Sequence, residues 1–156
     1  MPDVLFRTAT VLLLSLTPAP SAANDDRNFS GAWVLTATRG QVNALPDPPG
    51  DLLIVKLSRD KIDVESRTAE SDGPSTFIYA LDGTSSRNKS EEFSLSSVLK
   101  WEADALLFNT IANSSDTSYT QMDRWELSRD GTRLAIRRQV VDRNGQVEAL
   151  LTYERR

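Results

Sequence analysis

Apolar and polar residues alternate along most of the chain after residue 28. The alternating runs are rich in Val, Ile, Leu, Thr and aromatic residues, and turn sequences such as PDPPG at 46–50 and LDGT at 81–84 separate them. This pattern is typical of antiparallel strands joined by hairpins, and no stretch carries a sustained helical apolar stripe. It predicts about nine strands, at 29–38, 51–58, 61–68, 75–81, 91–101, 106–111, 117–128, 132–142 and 146–154.

Cross-strand pairing supports this assignment. A turn at 130–131 predicts three facing pairs in the hairpin that it joins: Leu127 with Leu134, Trp125 with Ile136, and Asp123 with Arg138. Apolar residues then face apolar ones and the acid faces the base. A turn at 144–145 predicts pairs for the last hairpin: Val140 with Ala149, Arg138 with Leu151, Ile136 with Tyr153, and Leu134 with Arg155. The same face of the middle strand points inward in both hairpins.

A meander of this length either closes or leaves edge strands exposed, and closure removes the edges. We therefore predict an all-β fold, an antiparallel up-and-down meander closed into a barrel of about eight to ten strands. The interior of such a barrel is either filled by its side chains or holds one small ligand, and both outcomes stay open. The residues predicted to point inward are Leu35, Leu53, Val55, Leu57, Ile62, Val64, Phe77, Tyr79, Leu81, Leu95, Leu99, Trp101, Leu106, Phe108, Trp125, Leu127, Ile136, Leu151 and Tyr153.

The N-terminal segment predicts a secretory signal peptide. Arg7 precedes a short apolar run at 8–16, and prolines and small residues follow it up to Ala23. The run is shorter than the roughly 20 apolar residues that a membrane span needs, so cleavage near Ala23 is expected. The remaining residues, 24–156, are predicted to form a single secreted or periplasmic domain without membrane insertion.

Composition narrows the chemistry. The chain has no histidine and no cysteine, which excludes a Ser-His triad, a thiolate nucleophile, a disulfide and histidine-bound zinc. Its net charge is −4, without a long block of like charge, so nucleic acid is an unfavourable partner. We expect no metal and no cofactor, and we expect no enzymatic activity. The least favoured alternative is a carboxylate-based hydrolase, for which Glu91, Glu92, Asp123 and Glu126 offer no outstanding pair.

Two segments resemble a known family. FSGAW at 29–33 is similar to the Gly-x-Trp signature of lipocalin and wider calycin barrels, and WELSRDGTRLAIRR at 125–138 resembles small secreted bacterial lipocalin-like proteins. The resemblance implies that Trp33 closes one end of the barrel, that Arg155 or Arg138 covers it, and that Gly31 permits the close packing. The sequence departs from the family in having no disulfide, no recognisable second lipocalin motif and no helix after the last strand.

The polar inward positions allow two interpretations. Asp123 and Arg138 are predicted to face each other, with Tyr119 and Gln121 nearby, and a structural ion pair is favoured over a polar group that orients a ligand. We predict a protein that binds a small apolar or amphipathic ligand, with an interaction or inhibitor module that has a filled barrel and acts through its loops as the alternative. The candidate ligand-binding residues are Tyr79, Trp101, Phe108, Tyr119, Asp123, Trp125, Arg138 and Tyr153.

Overall fold

Ten antiparallel strands form one sheet in the computed structural model, which describes residues 28–156. The strands are β1 (Gly31–Gly40), β2 (Leu52–Leu57), β3 (Lys61–Arg67), β4 (Ser75–Ala80), β5 (Ser86–Lys89), β6 (Ser94–Glu102), β7 (Ala105–Asn113), β8 (Ser118–Leu127), β9 (Arg133–Asp142) and β10 (Gly145–Arg155), with one 3-10 turn at Val42–Ala44. Their order in the sheet is β4-β3-β2-β1-β10-β9-β8-β7-β6-β5. This is the predicted up-and-down meander, and pairing of β1 with β10 curls it into a nearly closed barrel.

Side chains close the seam between the two edge strands, β4 and β5. The Asn88 amide oxygen accepts from the Ile78 backbone N–H at 2.9 Å, and its amide nitrogen donates to the Ile78 carbonyl at 3.0 Å. The Ser86 hydroxyl accepts from the Ala80 N–H at 2.8 Å. These side chains take the place of a backbone ladder, so the edge of β4 is covered where it would otherwise be open for pairing.

Strand β5 adds to the nine predicted strands, and the total of ten lies within the predicted range of eight to ten. It lies between the predicted strands 75–81 and 91–101, where the sequence predicts a connection. Apolar alternation is missing there because the half-buried residues, Ser86 and Asn88, form hydrogen bonds to β4 across the seam and do not pack in the core. The prediction from apolar alternation therefore fails where inward-facing residues satisfy backbone groups instead of packing.

The predicted pairing is confirmed in the hairpin β8–β9 and wrong in the hairpin β9–β10. Asp123 faces Arg138, but Val140 faces Val147 and Arg138 faces Ala149, a slip of two residues from the prediction. The turn is 143–144 because the Asp142 carboxylate accepts the N–H groups of the next residues, at 2.7 Å from residue 144 and 3.1 Å from residue 145. A slip of two keeps each side chain on its predicted face.

The core runs along the inside of the barrel. Every residue predicted to point inward is either buried in it or packs against it. Phe29, Leu45 and Phe93 add to the core from outside the strands. Within residues 28–156, no helix has the length and apolar character that crossing a membrane requires.

Candidate functional site

One end of the barrel is closed by Trp33. The Trp33 side chain is fully buried, and its indole Nε1 donates to the Phe29 carbonyl at 2.9 Å. The Arg155 guanidinium covers the ring, with Cζ 4.2 Å from the ring centroid, and donates to the Ser30 carbonyl at 2.6 Å. Gly31 has φ +145°, and a Cβ there would lie 2.5 Å from Arg155 Nη1. Glycine therefore permits both the backbone conformation and the approach of the arginine.

A cavity of about 470 Å³ occupies the other half of the barrel. Side chains of most strands line it, together with residues of the connections 46–50, 68–71 and 90–93. Its volume lies within the range of roughly 300–1,000 Å³ that is usual for small-molecule sites. Seven aromatic residues contribute to its wall: Phe77, Tyr79, Phe93, Phe108, Tyr119, Trp125 and Tyr153.

The structure brings seven of the eight candidate ligand-binding residues to this cavity: Tyr79, Phe108, Tyr119, Asp123, Trp125, Arg138 and Tyr153. Trp101 is the exception, because it does not line the cavity. It packs instead against Phe29, with ring centroids 5.9 Å apart, near the turn that joins β6 to β7. Alternation placed it correctly on the inner face but gave no position along the barrel axis.

Asp123 and Arg138 form a two-point ion pair within the barrel. Arg138 Nε donates to Asp123 Oδ1 at 2.9 Å, and Nη2 donates to Oδ2 at 2.7 Å. The aspartate side chain is 5% exposed and the arginine side chain 14%. Burial disfavours the charged guanidinium, but the Asp123 carboxylate outweighs that effect and raises the pKa of Arg138. In the amide orientation that satisfies both of its polar atoms, Gln121 accepts from the guanidinium at 3.3 Å.

The three tyrosines of the chain all line the cavity and stay protonated. Burial is the main cause that raises the pKa of each phenol. The nearby Asp123 carboxylate adds to the effect at Tyr79, and Asp47 adds to it at Tyr119. Tyr119 donates to the Asp47 carboxylate at 3.0 Å, and Tyr153 donates to the Gly50 carbonyl at 3.0 Å. Both bonds tie the connection between β1 and β2 to the barrel wall.

The connections at the cavity end of the barrel are acidic. Successive strands run in opposite directions, so alternate connections share an end, and here these are 41–51, 68–74, 90–93, 114–117 and 143–144. The first four of them contain no lysine or arginine, and they carry Asp47, Asp51, Glu70, Asp72, Glu91, Glu92 and Asp116. We call these four connections the acidic rim. Despite this density of carboxylates, no three acidic side chains among residues 28–156 are placed to hold a metal ion.

Several bases lie together on the outside of the sheet. A second depression, of about 730 Å³, lies on the outer face of strands β6 to β10 and the end of β1, and its lining includes Arg39, Lys100, Arg124 and Arg137. Arg124 is paired there with Glu102 at 3.0 Å and with Glu126 at 2.6 Å. The acidic rim therefore carries carboxylates without bases, whereas acids and bases are mixed on the outside of the sheet.

Several residues of the cavity were not predicted. Phe93, Asp47, Glu70, Glu91 and Glu92 line it, although all of them lie in connections. Alternate connections of a meander lie at the same end, so the predicted strands could have shown that these residues lie together. Because strand β5 was missed, the alternation of ends is assigned wrongly for every connection after β4. Ser97 and Thr110 form a further buried hydroxyl pair on neighbouring strands, at 2.7 Å.

Comparisons by sequence and by structure give different results. No protein-family model matches the chain, and no curated protein matches it. Among solved structures, zebrafish ileal bile acid-binding protein complexed with cholic acid is similar with a TM-score of 0.59 at 15% identity, over 82% of this chain and 98% of that one. A secretory abundant heat soluble protein from Ramazzottius varieornatus is similar with a TM-score of 0.64 at 12% identity, over 82% and 95%.

These similarities establish the class of the fold. The chain folds as a lipocalin-like and calycin-like barrel, with ten antiparallel strands in one nearly closed sheet. At identities of 12% and 15%, the similarity shows the architecture only, and no functional residue of these structures is assigned to this chain. The resemblance drawn from Gly31 and Trp33 is thus confirmed at the level of the fold.

Proposed function

We propose that this protein binds one small apolar or amphipathic molecule inside its barrel. The observation that carries the proposal is the cavity of about 470 Å³ with its aromatic wall. An apolar pocket with a few convergent polar groups is the usual form of a small-molecule site. The solved structure of zebrafish ileal bile acid-binding protein holds cholic acid, which supports the use of this type of barrel for an amphipathic guest.

The cavity also bears on the alternative of a filled barrel that acts only through its loops. In a filled barrel the inward side chains occupy the interior, whereas here the half of the barrel beyond Trp125 keeps its space. The closed end, by contrast, is filled, because Phe29, Trp33 and Trp101 pack together there. Binding inside is therefore the better supported of the two functions.

We further propose that the protein acts without catalysis and outside the cytoplasm. The lack of histidine and cysteine supports the first point, together with the full engagement of Asp123 by Arg138. The predicted signal peptide, 1–23, supports the second and lies outside the described residues. N-terminal sequencing of protein exported by its own host tests this point: a mature chain that begins at Asn24 agrees with it, and a retained leader contradicts it.

Native mass spectrometry of protein purified from its own host tests the binding function. We expect a population heavier than the polypeptide by the mass of one small molecule, which collisional activation removes. A matched preparation of the Phe108→Trp variant serves as a control, since the larger side chain takes up part of the cavity and is expected to reduce the loaded fraction. Protein that is consistently free of any guest would contradict the proposal.

A further inference from the structure

We propose that the barrel selects its guest by charge and takes cationic or neutral amphiphiles in preference to carboxylates. This inference rests on the proposed binding function and deepens it. Three features of the cavity carry it: the neutralised interior, the acidic rim, and the aromatic wall.

Within residues 28–156, the interior offers no free positive charge to an anionic guest. Arg138 is the only lysine or arginine among the described residues that line the cavity, and Asp123 holds it at two points, 2.9 and 2.7 Å. A carboxylate guest would have to displace Asp123 and leave that carboxylate buried without a partner, which is strongly unfavourable. The neutral phenols nearby offer hydrogen bonds but no charge. The pair therefore leaves the interior neutral overall and suited to an uncharged chain or ring.

The entrance repels anions and attracts cations. Asp47, Glu70, Glu91 and Glu92 all belong to the acidic rim and line the cavity. Four bases lie at the same end of the barrel, Arg39, Arg67, Lys89 and Arg143, and none of them lines the cavity. A cleft bordered by one sign of charge concentrates ligands of the opposite sign. A cationic head group at the rim is attracted, while a carboxylate there meets four like charges.

The wall fits the same kind of guest. Seven aromatic residues line the cavity, and aromatic faces attract ammonium groups while also burying apolar chains. Phe77 and Tyr79 stack with centroids 6.4 Å apart, and Tyr79 meets Phe108 edge to face at 5.2 Å. An apolar body along these rings with an amine toward the rim satisfies both surfaces.

Three ten-carbon probes with different head groups test the inference: decylamine, decan-1-ol and decanoate. Isothermal titration calorimetry at pH 7 and low salt is expected to give the tightest binding for the amine, then the alcohol, then the carboxylate. We expect a ratio of roughly tenfold or more between amine and carboxylate, and this ratio should shrink in high salt because salt screens the exposed rim. Equal or tighter binding of decanoate overturns the inference and leaves the binding function standing. Failure of all three probes overturns both.

Two sets of variants separate the rim from the interior. Glu91→Gln with Glu92→Gln is expected to lower the affinity for decylamine several-fold more than the affinity for decan-1-ol. The control, Asp60→Asn with Glu154→Gln, removes the same charge from exposed positions at the closed end, and it should keep the preference. If both pairs of substitutions lowered the preference equally, the selectivity would depend on the net charge of the protein and not on the rim, which would contradict a role for the rim.

Asp123→Asn tests the interior. Removing the carboxylate charge frees the Arg138 guanidinium, so decanoate affinity is expected to rise relative to decylamine. An unchanged ratio in a variant that circular dichroism shows to be folded contradicts the neutralised interior. If the variant does not fold, the three-probe comparison and the rim variants decide the proposal by themselves.

Discussion

The Asp123–Arg138 pair predicts a large and asymmetric effect on stability. Both side chains are nearly buried, at 5% and 14% exposed, and two hydrogen bonds join them. Asp123→Leu leaves a buried guanidinium without its carboxylate, and Arg138→Met leaves a buried carboxylate without its guanidinium. Removing both charges leaves neither, so the double variant is expected to be far more stable than either single variant.

The expected magnitudes follow from this burial. Breaking a buried pair by removing one partner costs about 3–5 kcal/mol, whereas replacing both partners by apolar residues is often neutral or stabilising. Because Arg138 keeps a small exposed fraction, we expect each single change to cost near the lower figure, about 3 kcal/mol. In a domain of this size such a loss lowers Tm by roughly 10 °C. The double variant should lie within about 1 kcal/mol of wild type.

Urea unfolding followed by tryptophan fluorescence at pH 7 measures all four proteins under one condition. The linear dependence of unfolding free energy on urea gives the coupling energy between the two positions. Two results would contradict a buried, coupled pair: a single variant as stable as wild type, or a double variant whose loss of stability equals the sum of the two single losses. The first would mean that the pair is not buried, and the second that the residues act independently.

Three further predictions concern other parts of the barrel. Gly31→Ala is expected to lower the free energy of unfolding by about 1–3 kcal/mol, because φ is +145° and the new Cβ would meet Arg155. Gly73→Ala is the control, since no atom lies within 4 Å of its new Cβ, and it should be nearly neutral in the same urea assay. Asn88→Asp is expected to lower Tm, because it removes the donor to the Ile78 carbonyl. Asn109→Asp on the exposed face is the control and should leave Tm unchanged. Equal Tm values for the two variants would contradict a stabilising role of Asn88 at the seam. The third is an alkaline spectroscopic titration of the tyrosines. Burial raises the pKa of all three phenols above the ordinary value of about 10. The free energy of unfolding should therefore fall as pH rises above that value. Tyrosinate absorbance should then appear together with unfolding, and its appearance near pH 10 in folded protein would contradict the buried phenols.

The fold was largely predictable because its signal is local. Period-two alternation and turn residues located nine of the ten strands, and the pairing of Asp123 with Arg138 followed from counting outward from one turn. The slip in the last hairpin arose because a side chain, Asp142, selects the turn. Strand β5 was missed because its half-buried residues, Ser86 and Asn88, bond to backbone groups of β4 instead of packing in the core, so the segment shows no apolar alternation.

The site was predictable only in part. Alternation identifies which side chains face inward, and seven of the eight candidates consequently line the cavity. It carries no information on depth, so Trp101 was assigned to the cavity although it packs at the closed end. Whether the interior is empty depends on the summed volumes of side chains across the barrel, which pairwise patterns along the chain do not contain.

Nuclear Overhauser contacts between bound decan-1-ol and the protein test whether a small molecule enters this cavity. We expect contacts from the alkyl chain to the rings of Phe77, Tyr79 and Phe108, and none to Met122 on the exposed outer face. Contacts confined to Met122 and its neighbours, or the absence of any contact at saturating probe, would contradict binding in the cavity.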